Sequence, residues 1–461
     1  MCVSPMHSLP HIFITHYKRN VMVMDMASGH KIRALKSPSE IELRYREATV
    51  GSARLMEEAA GAMPGGNTRT TNFYPPYPIV IEHAEGAWLR DVDQRRYVDL
   101  FCNGLSLIHG NAYAPVREAI QAALVDGSAW AGASRIQIGY AELLRDRIPA
   151  LESLRFTNSG SEAGMLAVKA ARRATGRRYI VKAYGAYHGS YPDLEAGLYG
   201  QSNIEGRALV ATFNDIASYE RVMAEHGRDV AAIVIEPVLV TGRVVAPAPG
   251  FLNEVEALAR RFGALSIVDD CLMLRLAVGG SNEKFSLRPD IVVLGKFLGG
   301  GTPLGAFGGS RSLMKMFDPT RAGCIFHGGS FNGNPLGCSA GYVTLTHLTA
   351  ARIAAMDAAC VKIREALKAA GRKFGVEVQV TGVGSVVGIA FPADPMRHED
   401  DPAALGLASL FHLACLNEGV MIGPGGIITV STAHDEVALD FAIRGMANAL
   451  GSVGRLLESL R

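Results

Sequence analysis

Lys296 is the residue of this sequence with the clearest chemical potential. It follows the apolar run DIVVLG (290–295) and precedes the glycine run 299–301. A lysine in an apolar pocket has a lowered pKa and becomes a nucleophile towards an aldehyde. A lysine at the end of a strand is usually only a solvated terminus. The neighbouring glycines, which permit an unusual backbone path, favour a chemical role for this one.

Two adjacent carboxylates, Asp269 and Asp270, end the apolar run of SIVDDCL (266–272). Adjacent residues of a strand point to opposite faces, so only one of the two can reach a given ligand atom. A carboxylate in this place could bind a metal, a ribose hydroxyl or a protonated ring nitrogen, or it could cap a helix. The acidic pair alone leaves these alternatives open.

A third segment, FTNSGSEA (156–163), is typical of a strand, a tight loop and the start of a helix. Gly160 lets the backbone turn closely, and Ser159 and Ser161 offer hydroxyls beside the unpaired N–H groups of the helix start. Such a terminus is a ready anion site, although an ordinary serine-capped helix would have the same sequence. The segment is neither a Walker sequence nor a G-x-G-x-x-G, which argues against a nucleoside triphosphate.

Taken together, these segments predict a ligand that carries an aldehyde, a phosphate and a basic ring nitrogen. Pyridoxal 5'-phosphate has all three groups. The sequence therefore predicts that Lys296 carries this cofactor as a Schiff base and that Asp269 keeps the ring nitrogen protonated.

The elements around these residues alternate between short apolar strands and helices from about residue 150 to 310. Strand and helix in alternation predict an α/β fold with a mostly parallel sheet covered on both faces, in which ligands bind beyond the carboxyl ends of the strands. The predicted strands cover 154–157, 179–182, 231–236, 265–270 and 290–296.

We divide the chain into four parts on this pattern. Residues 1–45 are expected to form a tail, 46–105 a segment with a hairpin that packs with the small domain, 106–345 the large cofactor-binding domain, and 346–461 a small α+β domain. From residue 341 onwards we predict one helical stretch over 341–373, strands near 376–391, a helix near 403–418, a strand pair near 420–431 and a final helix from 435.

Composition limits the possible partners. The 46 basic and 44 acidic residues almost cancel, which argues against nucleic acid or an anionic membrane as a partner. The seven cysteines are scattered without a C-x-x-C pair, so neither a disulfide framework nor a metal site is predicted. No apolar run approaches the length of a membrane span. A cytoplasmic protein is expected.

From about residue 50 to the C-terminus, these motifs resemble those of the class III aminotransferases of the type I pyridoxal-phosphate fold. Within that class the sequence is similar to the β-amino-acid (β-phenylalanine) aminotransferases, with glutamate-1-semialdehyde aminomutase as a close relative. The resemblance implies a transfer of an amino group from a β-amino acid, another amino acid or an amine to a keto acid, in a homodimer with a shared active site.

The resemblance also implies a role for further residues. It implies that Ser159, Gly160 and Ser161 bind the phosphate, that Tyr187 of AYHG (186–189) stacks on the ring, and that Glu236 of VIEP (234–237) lies near the cofactor. Ser330 of HGGSFNGNP (327–335) is expected to contact the phosphate bound by the neighbouring subunit. Arg69 of MPGGNTRT (63–70) is expected to bind the substrate carboxylate. His188 is interpreted as a structural histidine.

One departure from the family concerns the acceptor. Gly425 of IGPGG (422–426) stands where the family has an arginine that helps to bind a dicarboxylate, so a small keto acid such as pyruvate is favoured over 2-oxoglutarate. An aminomutase or racemase with the same machinery is the alternative function. A non-enzymatic binding module is disfavoured by the intact Lys296 and Asp269, and a nucleotide-dependent oxidoreductase by the missing glycine fingerprint.

Overall fold

The computed structural model describes residues 38–198, 206–241, 243–391 and 402–460, and the backbone of two short paired strands near the N-terminus. Most of the predicted tail, 1–45, lies outside the described residues. The first helix begins at Glu40, and Ile41 and Tyr45 on it are buried. The folded body therefore extends N-terminally past residue 45.

The described chain contains sixteen strands and fifteen α-helices, numbered here in chain order. The strands are β1 Met24–Asp25, β2 His30–Lys31, β3 Ile81–Glu85, β4 Trp88–Asp91, β5 Arg96–Asp99, β6 Ser153–Thr157, β7 Tyr179–Ala183, β8 Ala208–Ala211, β9 Val230–Ile235, β10 Leu265–Asp269, β11 Ile291–Leu294, β12 Gly305–Gly309, β13 Gln379–Val383, β14 Val386–Ala390, β15 Val420–Met421 and β16 Ile427–Thr429. The helices are α1 Glu40–Ala48, α2 Val50–Ala60, α3 Cys102–Leu105, α4 Ala114–Val125, α5 Arg135–Arg147, α6 Gly160–Thr175, α7 Pro192–Glu195, α8 Ile216–His226, α9 Phe251–Arg261, α10 Gly280–Lys284, α11 Arg311–Met314, α12 Pro335–His347, α13 Ala350–Lys373, α14 Pro402–Asn417 and α15 Glu436–Ser459.

A seven-stranded sheet in the order β6-β12-β11-β10-β9-β7-β8 forms the centre of the molecule. Strand β12 runs antiparallel to both of its neighbours, and the other pairings within this sheet are parallel. The predicted α/β fold with a mostly parallel sheet is confirmed. Strands β8 and β12 were not predicted, because their alanine- and glycine-rich sequences lack the apolar, β-branched signal of a buried strand.

Successive residues of the central strands pack on opposite faces of this sheet. Ile267 belongs to the apolar cluster formed with α6, whereas Val268 belongs to the cluster formed with α8 and α9. This alternation follows from the two-residue period of a strand. It places the side chain of Asp269 on the α6 face and that of Asp270 on the opposite face.

Two smaller sheets join distant parts of the chain. The hairpin β4–β5, whose turn contains the left-handed Gln94, is extended by β15 through the parallel pair Val98–Val420. Strand β16 instead pairs with β14. The prediction of a strand pair near 420–431 is therefore wrong, since the two strands belong to different sheets and the turn between them crosses from one sheet to the other.

The predicted helical stretch 341–373 also differs from the structure, which has two helices there. Helix α12 ends at His347, and the Thr349 hydroxyl accepts a hydrogen bond from the backbone N–H of Arg352, so that it caps α13. A side-chain cap of this kind begins a new helix and redirects the chain. In the described part of the chain, no helix is both long and apolar enough to cross a membrane.

Candidate active site

A cavity of about 270 Å³ lies beyond the carboxyl ends of the central parallel strands. Seven of the nine predicted site residues line it: Ser159, Gly160, Ser161, Tyr187, Glu236, Asp269 and Lys296. They come from five separate strand ends, which the sheet brings to one edge.

Lys296 directly follows the loop residue after β11 and has a left-handed backbone conformation, with φ 56°. This conformation is costly for a residue with a Cβ, by about 1–2 kcal/mol, and such residues cluster at functional sites. Its Nζ atom lies 5.7 Å from the centre of the Tyr187 ring. The amine is thus held inside the cavity next to an aromatic face.

The chain enters Lys296 through a close contact between two glycines. A Cβ on Gly295 would lie 2.9 Å from the Cα of Gly160. Only glycine can approach another backbone so closely. The loop at the start of α6 and the turn that carries Lys296 are therefore packed directly against each other.

Asp269 is held by two hydrogen bonds. Its Oδ2 lies 2.9 Å from Nδ1 of His188, and its Oδ1 accepts from the backbone N–H of Cys271 at 3.2 Å. Burial by itself would raise the pKa of Asp269, but the bonds from His188 and Cys271 outweigh it and the pKa is lowered. The carboxylate is therefore ionised at neutral pH.

His188 is the neutral donor in this pair. Burial lowers the pKa of His188, against the opposing attraction of Asp269. The neutral ring therefore donates its Nδ1–H to Asp269. Its buried Nε2 has no hydrogen-bond partner among the described residues.

Glu236 is the second buried acid of the cavity. Its carboxyl group accepts from the backbone N–H of Tyr187 at 3.2 Å and from that of Val240 at 3.3 Å. Burial, assisted by the charge of Asp269, raises the pKa of Glu236 to about 8. The two carboxyl groups therefore have different charges at pH 7: Asp269 is ionised and Glu236 is largely protonated.

The start of α6 is both a serine-capped helix start and a possible anion site, the two interpretations that its sequence allowed. The Ser159 hydroxyl accepts from the N–H of Glu162 at 3.1 Å and so caps the helix, as in an ordinary serine cap. Ser161 Oγ accepts from the N–H of Ser190 at 3.2 Å. The first N–H groups of a helix have no partner within the helix, so those at the start of α6 remain suited to an anion.

Two predicted site residues do not line the cavity. Arg69 is exposed, and its Nη2 donates to Oδ1 of Asn103 at 2.9 Å. Ser330 is exposed in the loop before α12. Their predicted roles depend on a substrate and on a second subunit respectively.

Other lining residues were not selected from the sequence. They are Asn158, His188, Gly189, Cys271, Leu272, Met273, Thr302, Pro303 and Leu304. His188 was assigned a structural role because nothing in the sequence around it indicates a contact with Asp269. The residues after the glycine run could have been found by their position, since the glycines return the chain to the same sheet edge.

The donor set fits one organic cofactor. An amine, an ionised carboxylate, an aromatic face and a helix N-terminus surround one cavity, and the paired glycines leave the approach to the helix start open. These groups match the aldehyde, ring nitrogen, ring face and phosphate of pyridoxal 5'-phosphate. No group of three or more histidine, cysteine or acidic side chains in the described residues could hold a metal ion.

Comparison with known proteins agrees with this fit. Residues 70–194 and 200–440 match the family model of class III aminotransferases. The chain is 34% identical to a β-phenylalanine transaminase of Variovorax paradoxus over 90% of this chain and 96% of the relative. It is also 34% identical to a glutamate-1-semialdehyde 2,1-aminomutase of Sorangium cellulosum, over 87% of this chain and 96% of that protein.

A solved structure gives the same result. The ω-transaminase of Sphaerobacter thermophilus superposes with a TM-score of 0.84 at 33% identity, covering 89% of this chain and 99% of that one. The chain therefore belongs to the class III aminotransferases, which are pyridoxal-phosphate-dependent enzymes.

Proposed function

We propose that this transaminase takes its amino group from a β-amino acid and transfers it to a keto acid. The observation that carries the proposal is the left-handed Lys296 in one cavity with the ionised Asp269. The β-phenylalanine transaminase of Variovorax paradoxus, a relative similar over almost the whole chain, supports the choice of a β-amino acid. Arg69 is the proposed partner of the substrate carboxylate, since a guanidinium group can bind a carboxylate with two parallel hydrogen bonds.

Lys296 and Asp269 have the central roles in this proposal. Pyridoxal phosphate, when bound, supplies an electron-withdrawing ring that stabilises negative charge on the carbon next to the transferred nitrogen. Lys296 Nζ would hold the cofactor covalently through its aldehyde, and as a free amine it would move the proton at the substrate carbon. Asp269 would hold a proton on the ring nitrogen, and its hydrogen bond with His188 keeps Asp269 oriented and ionised.

The remaining residues position the cofactor. Ser159, Gly160 and Ser161 are the proposed phosphate ligands, through the N–H groups and hydroxyls at the start of α6. The ring of Tyr187, which already lies beside Lys296 Nζ, is the proposed stacking surface. Glu236 fixes the backbone of Tyr187 and of the loop after β9 through its two hydrogen bonds.

A homodimer belongs to the same proposal, with Ser330 of one subunit reaching the phosphate site of the other. Ser330 lies between two exposed phenylalanines, Phe326 at 84% and Phe331 at 61% relative exposure. Two exposed aromatic side chains within six residues are typical of a protein–protein interface. The loop is also tied to the cavity, because Asn332 accepts a hydrogen bond from Asn158 at 2.9 Å.

Light scattering tests the dimer. We expect a dimer for the wild type and for Val437→Glu, a control on α15 whose side chain is 72% exposed. Phe331→Glu should give a monomer that retains less cofactor, because a charge in the interface would have to be desolvated. A monomeric wild type, or a dimeric Phe331→Glu with full cofactor content, would contradict the proposal.

The reaction is tested with the holoenzyme and separate donors: β-phenylalanine, an α-amino acid and a simple amine, each with pyruvate and with 2-oxoglutarate. A β-amino acid as the best donor, with release of a keto product, is the expected result. Return of the amino group to the same molecule would indicate the aminomutase instead. Lys296→Ala should lose both turnover and the visible absorbance of the lysine-bound cofactor, and an active Lys296→Ala enzyme would overturn the assignment.

A cytoplasmic location completes the proposal. The six cysteines in the described residues are all free thiols. Unpaired, mostly buried thiols are usual in a reducing compartment.

A further inference from the structure

A second cavity, separate from the active site, lies where the helices α4 and α13 meet the turn between β3 and β4. Its volume is about 450 Å³, against about 270 Å³ for the active-site cavity, and the two cavities share no lining residue. Ligand sites in proteins are concavities of roughly 300–1,000 Å³ with a few precisely placed polar groups. The polar side chains of this cavity therefore indicate which ligand it could bind.

Two guanidinium groups line the helical side of the cavity. Arg352 of α13 donates from Nη1 to the hydroxyl of Tyr113 at 3.0 Å, and Tyr113 is the residue that directly precedes α4. Arg117 lies four residues after Tyr113, one turn further along the same face of α4. Neither arginine forms an ion pair with a carboxylate of the described residues. Since that bond uses one of the five N–H donors of the Arg352 guanidinium, both arginines keep donors for an anion.

The two histidines of the cavity add no positive charge. His109 Nε2 lies 3.0 Å from the carbonyl of Thr344, so it carries the ring proton, and Nδ1 accepts from the Thr432 hydroxyl at 2.8 Å. Burial lowers the pKa of His109 to about 4, and it also lowers the pKa of His434. The cationic character of the cavity therefore comes from the two arginines.

An unpaired acceptor lines another side of the cavity. Gly86 and Asn111 form an isolated antiparallel bridge, and Asn111 Nδ2 donates to the Gly86 carbonyl at 3.3 Å and to Oδ2 of Asp99 at 3.0 Å. These two acceptors fix the orientation of the amide. Its Oδ1 has no hydrogen-bond partner among the described residues, although Asn111 is only 8% exposed. Oδ1 is therefore available to a donor bound in the cavity.

Glu85 adds a negative charge on this side. It directly precedes Gly86 of the bridge and lines the same cavity. Its carboxylate is exposed, and its ion pair with the exposed His83 is long, at 3.9 Å. Because an exposed pair of this kind contributes little, the carboxylate can contact a ligand. The cavity thus has a cationic side on α4 and α13 and an acceptor side at the Gly86–Asn111 bridge.

We propose that this cavity is a second binding site, which takes a small amino acid as a zwitterion. Arg117 and Arg352 bind its carboxylate, and the Glu85 carboxylate and Asn111 Oδ1 accept hydrogen bonds from its ammonium group. A planar guanidinium matches a carboxylate, and an ammonium group, which has only donors, matches a pair of acceptors. The inference goes beyond the proposed transamination and does not rest on it.

Two probes of the same shape test the site without turnover. N,N-dimethylglycine is a zwitterion with one N–H donor, and its tertiary amine cannot form an imine with an aldehyde. 3-Methylbutyrate has a C–H in place of that N–H and keeps the carboxylate. We expect calorimetry on the wild-type holoenzyme to give an affinity for dimethylglycine about tenfold above that for 3-methylbutyrate, which is the contribution of one hydrogen bond to a charged group.

Two surface variants test the two sides of the cavity separately. Arg117→Gln should weaken the binding of both probes about tenfold, because both carry the carboxylate. Glu85→Gln should weaken only the binding of dimethylglycine and so reduce the preference between the probes. Both residues are exposed, so both variants should fold. Arg54→Gln is the control and should change neither affinity, because it removes an exposed charge of α2 that lines neither cavity.

Arg69→Gln distinguishes this cavity from the active site, since Arg69 is the proposed partner of the substrate carboxylate. Binding of both probes should survive this change. If the probes no longer bind to Arg69→Gln but still bind to Arg117→Gln, they occupy the active-site cavity and the second site is wrong.

The remaining outcomes also decide the question. A wild type that binds neither probe or binds both equally, or an Arg117→Gln protein with wild-type affinities, would overturn the second site. Equal weakening of both probes by Glu85→Gln would contradict the binding of the ammonium group there. A holoenzyme that transfers no amino group but binds dimethylglycine in dependence on Arg117 and Glu85 would defeat the proposed function and leave this site intact.

Discussion

Nδ1 of His188 lies 2.9 Å from Oδ2 of Asp269, although the two residues are 81 positions apart in the sequence. The bond crosses the carboxyl edge of the sheet, from the loop after β7 to the end of β10. It keeps the carboxylate ionised in a buried place where desolvation would otherwise protonate it. His188 is thus a positioning residue that acts through Asp269.

Removal of His188 should therefore alter the titration of Asp269. In His188→Ala the pKa of Asp269 rises, so we expect the acidic limb of the kcat–pH profile to move to higher pH. The hydrogen bond to a charged group is worth about 1.5–3 kcal/mol, which corresponds to a loss of about 10- to 100-fold in cofactor affinity. His188→Asn, whose amide can donate from nearly the same place, should recover part of both effects.

His412→Phe is the control for His188. His412 is equally buried and packs on the Tyr74 ring at 4.3 Å, but its nitrogens have no hydrogen-bond partner among the described residues. It should leave the pH profile unchanged. Equal profiles for His188→Ala and the wild type would show that Asp269 does not depend on His188.

Gly160 is predicted to be replaceable only if Cys271 is changed with it. A Cβ on Gly160 would lie 2.8 Å from Cys271 Sγ, whereas its next contacts are at 3.7 and 3.9 Å. Gly160→Ala should therefore lower cofactor affinity by about 1–3 kcal/mol of overpacking strain. Gly160→Ala/Cys271→Ala removes the contact and should restore most of the affinity, so that the two changes are strongly non-additive.

Cofactor titration of the wild type, Gly160→Ala, Cys271→Ala and the double variant measures this double-mutant cycle. Gly139→Ala serves as the control, because Gly139 lies in α5 with nothing within 4 Å of its missing Cβ, and alanine there should stabilise the helix slightly. Additive losses in the double variant would mean that the thiol does not limit the space at Gly160.

The sequence determines some of these features through local rules. The alternation of strand residues predicts that only one of Asp269 and Asp270 faces the ligand, and the structure places Asp269 in the cavity. The parallel strands predict that Lys296 lies at the same edge. Both conclusions need only the period of a strand and the direction of its end.

Other features depend on contacts that no local pattern contains. The position of Arg243 beside Gly425 joins elements 182 positions apart, and it arises from the left-handed loop after β9. The separation of β15 from β16 likewise follows from pairing with strands that lie far away in the sequence. Spatial proximity of this kind is fixed by the packing of the whole chain.

Glu236→Gln is expected to keep most of the activity at pH 7. The carboxyl group has a pKa of about 8, so it is largely protonated at that pH, and an amide resembles the protonated acid. Glu236→Ala, which removes the acceptor for the N–H groups of Tyr187 and Val240, should lose much more cofactor affinity. Cofactor affinity, measured for both variants from pH 6 to pH 9, tests this expectation. If Glu236→Gln binds the cofactor as weakly as Glu236→Ala does, the charge of Glu236 is required.

Asp270 should make folding stability depend on pH. It is buried on the face of the sheet opposite the cavity, where its Oδ2 accepts from the N–H of Ser281 at 3.0 Å. Burial raises its pKa from 3.8 to about 8, so the folded state holds a proton that the unfolded state loses above about pH 4. The stabilisation is complete below pH 3.8 and is lost as the pH rises through 8, by at most about 1.4 kcal/mol per pH unit.

Asp270→Asn removes this titration, and urea unfolding at several pH values from 5 to 9 measures it. The wild type should lose stability relative to Asp270→Asn between pH 5 and 8, and the difference should become constant above that. Asp318→Asn is the control, because Asp318 is exposed and hydrogen bonds from Thr320 lower its pKa, so its difference from the wild type should be flat over the whole range. A flat difference for Asp270→Asn as well would mean that Asp270 is ionised in the folded protein, with the N–H groups of α10 offsetting its burial.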